Sequence, residues 1–135
     1  MAEVFIDTAF LIALLRARDP HHEAAAQLAH RLAAQGAPLV TTDAVLLELA
    51  NFFARSPLRI AAIDWSSRLR TAEGWSIEPL DRVLIGRGEA RYKRFAEKNW
   101  SLTDCISMEV MELRGIREIA TTDGGFAQAG FSLLL

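Results

Sequence analysis

The chain has 135 residues, 51% hydrophobic and 24% charged, with 15 Lys and Arg against 17 Asp and Glu for a formal net charge of −2. At this length folding buries roughly two-thirds of the unfolded surface, enough for one core without disulfides; the single cysteine, Cys105, has no internal partner and suits a reducing cytoplasm. These features exclude a secreted disulfide scaffold, a disordered tail and a strongly basic nucleic-acid coat. A membrane span is excluded too, because the longest apolar run, Ala9 to Leu15, falls far short of the ~20 residues required.

The first segment, Glu3 to Ile6, is short, apolar and β-branched, and reads as a buried strand ending at Asp7-Thr8. Ala9 to Arg16 favours helix. Asp19-Pro20 then predicts an N-cap followed by proline, opening a helix from His21 to Gln35 that Gly36 ends. Leu39-Val40 is a second apolar run, closed by Thr41-Thr42-Asp43, which offers caps for a helix from Ala44 to Arg55. Pro57 starts another, to about Thr71, and Gly74 releases the chain into a strand over Trp75 to Glu78. A long helix is expected from about Leu80 to Lys98, weakened by Gly86 and Gly88. Ser101 caps the next helix and Gly115 ends it; Glu118 to Thr121 and Phe131 to Leu135 read as strands, with a loop and short helix between them. No repeat or linker divides the chain, so residues 1–135 are read as one domain. Short apolar strands alternating with helices predict a mainly parallel sheet covered on both faces, with ligands bound outside the carboxyl ends of the strands.

Four acids fall at informative places. Asp7 and Asp123 each follow a strand, which puts both on the rim where ligands bind. Glu48 interrupts the apolar text Val45 to Phe53, and Asp104 lies in the first turn of the helix capped by Ser101. Each also has a plain structural explanation. An Asp after a strand caps turns, Ser101-Leu102-Thr103-Asp104 matches a capping box, and Glu48 could face solvent from the edge of its helix. Together, however, four carboxylates in one pocket repel one another. A hard divalent cation, Mg²⁺ or Mn²⁺, resolves that repulsion and leaves positions open for a phosphate.

Phe5-Ile6-Asp7-Thr8, the helical Glu48, Ser101 to Ser107, and Ala120-Thr121-Thr122-Asp123 together resemble, in order, the acidic motifs of PIN-domain nucleases. The likeness is strongest to the VapC-type toxins of toxin–antitoxin pairs, and the stretch Asp123 to Phe131 adds to it. The resemblance implies a PIN-like α/β/α sandwich with a central, mainly parallel sheet, and a Mg²⁺-dependent endoribonuclease held inactive by a VapB-type antitoxin and commonly homodimeric. It makes Asp7 and Asp104 the principal metal ligands, Glu48 and Asp123 the remaining acids of the site, and Thr8 and Thr122 supporting hydroxyls. Ala9 departs from the pattern, since many relatives carry Ser or Asn there. The chemistry expected is in-line attack of a metal-activated water, leaving 5′-phosphate and 3′-hydroxyl ends. The other reading is a catalytically inactive PIN-like module that binds RNA or protein, against which the four acids argue. A haloacid-dehalogenase-type phosphatase lacks its second Asp at Ala9. A phospho-receiver lacks its late lysine, because the only lysines are Lys93 and Lys98.

For an RNA ligand the net charge is unfavourable, but Arg87, Arg91, Arg94 and Lys98 recur at helical spacing and could track a phosphate backbone, with Tyr92 and Trp100 nearby. Equally, their stems could cover apolar surface. Tyr92 is expected to join Leu84 and Phe95 in the core. The histidines show no metal-ligand spacing, Cys105 reads as a small buried hydrophobe, and Trp65 and Trp75 read as core or interface residues. Ala9 to Leu15 and Val45 to Phe53 hold more apolar residues than one helix face buries. They are either sandwiched inside the domain or form a groove for an antitoxin peptide or a dimer face.

Overall fold

The computed structural model describes residues 1–135. Strands β1 (Val4–Ile6), β2 (Leu39–Thr42), β3 (Trp75–Glu78), β4 (Glu118–Ala120) and β5 (Ser132–Leu133) form one sheet in the order β3-β2-β1-β4-β5, and every pairing is parallel. Around it lie α1 (Thr8–Leu15), α2 (His22–Gln35), α3 (Asp43–Phe52), α4 (Arg59–Leu69), α5 (Arg82–Arg94), α6 (Leu102–Arg114) and α7 (Gly125–Gln128). Phe5, Ile6, Val40 and Ile119 are wholly buried, as central strands of a sheet covered by helices must be.

Local chemistry sets the element ends. The Thr42 hydroxyl accepts from Val45 N at 3.1 Å to start α3, and Asp81 accepts from Leu84 N at 2.8 Å to start α5. Ser101 and Asp104 form a reciprocal capping box at α6. Gly36 and Gly115 end α2 and α6 at φ of 64° and 69°, where a side chain would be strained.

Three expectations need correction. Asp19 does not cap α2: it accepts from His21 N at 2.8 Å within a turn, and the helix begins at His22. The long helix ends at Arg94, because its last carbonyls are closed by a turn through Phe95, so Lys98 lies in the connection and off the helical stripe. Tyr92 is 52% exposed and outside the core; Phe95 and Leu84 alone of that trio turn inward.

Helices α5 and α6 make the tightest contact in the fold. A methyl group built on Gly88 would lie 2.5 Å from Ile106 Cγ1, so only glycine allows the two helices to approach this closely. Arg114, near the end of α6, pairs with both Glu3 and Glu78, which ties the start of β1 and the end of β3 to that helix. No helix is long and apolar enough to cross a membrane.

Candidate active site

Asp7 is the first residue beyond β1 and takes the N-cap position of α1, yet its carboxylate makes no capping bond. It is 4% exposed, and its Oδ2 accepts a hydrogen bond from the Thr121 hydroxyl at 2.7 Å. The register explains the partnership. Ile6 pairs with Ala120, so Asp7 comes level with Thr121 as both chains leave the sheet. Burial pushes the Asp7 carboxyl up to about 7; the Thr121 hydroxyl opposes that rise, and the neighbouring charges of Asp104 and Glu48 add to it.

Asp104 comes from the first turn of α6. Its Oδ2 accepts from Ser101 N at 3.0 Å while its own N–H donates to Ser101 Oγ at 3.0 Å. The capping explanation therefore holds, and it does not compete with a role in the site. Burial raises the Asp104 carboxyl, the Ser101 backbone opposes this, and the charges of Asp123 and Glu48 reinforce it. Glu48, half-buried on α3, faces Asp7 and Asp104 closely enough for its charge to act on both. Asp123 is exposed on the loop after β4, where its Oδ1 accepts from Gly125 N at 2.8 Å and its N–H donates to Thr121 Oγ1 at 3.0 Å. The fold thus brings Asp7, Glu48 and Asp104 within electrostatic reach of one another at the carboxyl rim of the sheet, with Asp123 close enough for its charge to act on Asp104.

None of the molecule's six ion pairs uses Asp7, Glu48, Asp104 or Asp123. Four carboxylates without a basic partner are costly to hold together unless protons or a cation compensate them. As they stand, no three acid, histidine or cysteine side chains converge to metal-ligand distance. Asp123 and Asp104 are each engaged with nearby backbone instead. The donor set nevertheless fits a hard divalent cation: it consists of oxygen ligands only, and the Thr8 hydroxyl, buried next to Asp7, has no hydrogen-bond partner of its own.

The supporting hydroxyls differ from expectation in one respect. Thr8 is at the site, but the residue that holds Asp7 is Thr121, fully buried, and not its half-exposed neighbour Thr122. The basic residues divide. Arg91 donates to Glu109 and Glu112, both at 2.6 Å, and Arg87 reaches Glu109 at 3.2 Å. Arg94 lies over the Phe95 ring at 5.1 Å and Lys98 over the Trp100 ring at 6.0 Å, and neither forms an ion pair. The apolar helices are only partly sandwiched. Leu47 and Phe52 of α3 stay 58% and 51% exposed beside Ile60 and Ile63 of α4. A separate groove of about 610 Å³ is lined by Phe10, Leu14, Leu32, Trp65, Leu69 and Trp75.

Residues 4–132 match the PIN domain family model. The chain is 31% identical over 129 residues to the 23S rRNA-specific endonuclease VapC20 of Mycobacterium tuberculosis, covering 95% of each protein. The crystal structure of that VapC20, described as a sarcin–ricin loop cleaving toxin, superposes with a TM-score of 0.82 at 29% identity, again over 95% of both chains. FitAcB from Neisseria gonorrhoeae shares the fold at a TM-score of 0.64 and 16% identity, over 98% of this chain and 96% of that one. The chain therefore belongs to the PIN-domain family, and within it to the VapC-type ribonucleases.

Proposed function

We propose that this protein is a divalent-metal-dependent endoribonuclease, the toxin of a VapBC-type pair, with Asp7, Glu48, Asp104 and Asp123 as its catalytic carboxylates and Mg²⁺, or Mn²⁺ in its place, as its cofactor. The observation that carries the reading is the buried Asp7 carboxylate, which feels the charges of Asp104 and Glu48 at the carboxyl rim of the sheet, with Asp123 acting on Asp104 in turn, and none of the four has a basic partner. A divalent cation bound among these acids would supply the positive charge that stabilises the phosphate and leaving oxygen and makes water nucleophilic near neutral pH. Asp7 and Asp104 would be its principal ligands, with Glu48 and Asp123 completing the set. Thr121 fixes the orientation of the Asp7 carboxylate, and Thr8 and Thr122 offer hydroxyls to the water or phosphate beside it. No histidine, serine or cysteine nucleophile is required, and the products carry 5′-phosphate and 3′-hydroxyl ends.

RNA approaches over Arg94 and Lys98, whose charges are free to meet phosphates, with Arg87 at the margin. Arg91 is the weakest of the four expected contacts, because its guanidinium is spent on two glutamates. The relative's action on 23S rRNA makes the sarcin–ricin loop the first substrate to try. A VapB-type antitoxin would lay an apolar segment along the groove beside Trp65 and Trp75, and the exposed Leu47, Phe52, Ile60 and Ile63 would meet a second copy in a homodimer. The compartment that suits these partners is the cytoplasm.

Purified protein should cut RNA in Mg²⁺, EDTA should stop it, and Asp7→Asn or Asp104→Asn should abolish it. Undiminished cutting by both variants would overturn the site; RNA binding without cutting by the wild type would favour the inactive module. Growth arrest on expression, relieved by the neighbouring reading frame, tests the toxin role.

A further inference from the structure

Trp100 is only 7% exposed, and its indole N–H is buried with no acceptor. A buried donor left unsatisfied in this way forfeits the bond it would make in water, so its persistence needs a reason. The ring is firmly held. It lies against Phe95 at 5.1 Å with a 48° tilt and beneath the Lys98 ammonium, and the backbone continues directly into Ser101 and the capping box that carries Asp104.

The free edge of the indole faces the other acidic loop. A methyl group built on Gly125 would lie 3.0 Å from Trp100 Cδ1, 3.2 Å from its Nε1 and 3.1 Å from Asp123 Oδ1. The orphan donor and the Asp123 carboxylate therefore border one small volume, separated only by a residue with no side chain. At present Asp123 Oδ1 is occupied by the N–H of Gly125. Were Asp123 to turn from its own loop toward Asp104, that bond would break, and the unpartnered donor bordering the same space is Trp100 Nε1.

We propose that Trp100 is a positioning residue for Asp123, its buried indole N–H serving as the donor that fixes the carboxylate once it swings into the acid site. The inference rests on the four-acid reading above. It assigns Trp100 an effect on the chemical step, with substrate affinity left to the basic residues.

The protein has three tryptophans, so ¹⁵N-labelled protein shows three indole N–H resonances, and the one lost in Trp100→Phe identifies Trp100. Adding Mg²⁺ should move that resonance downfield in the wild type and leave it in place in Asp123→Ala. Trp100→Phe keeps an aromatic ring on Phe95 and should lower kcat about tenfold or more with KM unchanged, the usual scale for a partner that orients a ligating side chain. Thermal unfolding of the variant shows whether it remains folded, and the resonance of the wild type does not depend on that outcome. A resonance that stays still while Mg²⁺ raises the melting temperature would overturn the proposal, as would wild-type kcat in Trp100→Phe. If Mg²⁺ neither raises the melting temperature nor supports cutting, and Asp7→Asn behaves as the wild type, the acid site itself is wrong and this inference falls with it.

Discussion

The Thr121 hydroxyl donates to Asp7 Oδ2 at 2.7 Å and accepts from Asp123 N at 3.0 Å, so one buried side chain links two of the four acids. Thr121→Val keeps the shape and removes both bonds. Cutting should fall roughly 10–100-fold. Because the Thr121 bond opposes the upward push of burial on Asp7, the pH at which activity rises should also move upward in the variant, which a pH–rate profile will show.

Stability should depend on pH through Asp7. Its folded-state pKa of about 7 lies above the ordinary 3.8, so between these values the native state binds more protons than the unfolded one. Stability from this group is therefore lost as pH rises from about 4 to about 7, by at most ~1.4 kcal/mol per unit, and stays lost above that window. Asp7→Asn should remove the slope. Melting curves of wild type and variant from pH 4 to 8 isolate the effect, the variant gaining relative stability toward pH 8.

Mg²⁺ bound at the proposed site would stabilise only the folded protein, and it would compete with the proton on Asp7. Its effect on melting temperature should be larger at pH 8 than at pH 5 and absent in Asp7→Asn combined with Asp104→Asn. Equal shifts at the two pH values would place the ion elsewhere.

Arg91 and Arg94 should separate cleanly. Arg91 is held protonated, against the pull of burial, by its bonds to Glu112 and Glu109, and Arg91→Ala leaves a nearly buried Glu109 with only Arg87. Because Arg87 still reaches Glu109, the loss should stay below the ~3–5 kcal/mol of a buried charge left with no partner, and urea unfolding will register it. Arg94→Ala and Lys98→Ala should unfold like the wild type but bind RNA more weakly, with a shallower salt dependence.

Gly88→Ala should destabilise by about 1–3 kcal/mol, since its methyl would meet Ile106 Cγ1 at 2.5 Å. Ile106→Ala in the same chain should recover part of the loss in denaturant titrations. Additive losses would mean that the two helices part for some other reason.

The strands and two of the helix starts were legible because short-range chemistry sets them: β-branched runs, Thr42 and the Ser101–Asp104 box all act within a few residues. Asp7 and Asp123 were legible for a topological reason, since a residue beyond a parallel strand arrives at the carboxyl rim wherever its neighbours lie, whereas Glu48 and Asp104 stood out as acids in apolar helical text. Thr121 was not. The motif pointed to Thr122, but alternation along the exit from β4 turns adjacent residues to opposite sides, and only the pairing of Ile6 with Ala120 shows which one meets Asp7. The end of α5 was hidden for a similar reason. Residues 95–98 favour helix by composition, whereas the backbone leaves the helical region at Phe95, with φ −111° and ψ 46°, and the Phe95 ring packs on Trp100. The pairing of Arg91 with Glu109 and Glu112 likewise depends on how closely α5 meets α6, which Gly88 permits but does not announce.

The uncompensated charge around Asp7 sets durability against activity in this molecule. A library selected for heat resistance in chelator should enrich substitutions of Asp7, because each neutral replacement relieves repulsion that the folded chain otherwise carries. The most robust descendants would then be nucleases in shape alone, and a selection that keeps divalent ion in the buffer would spare the acid.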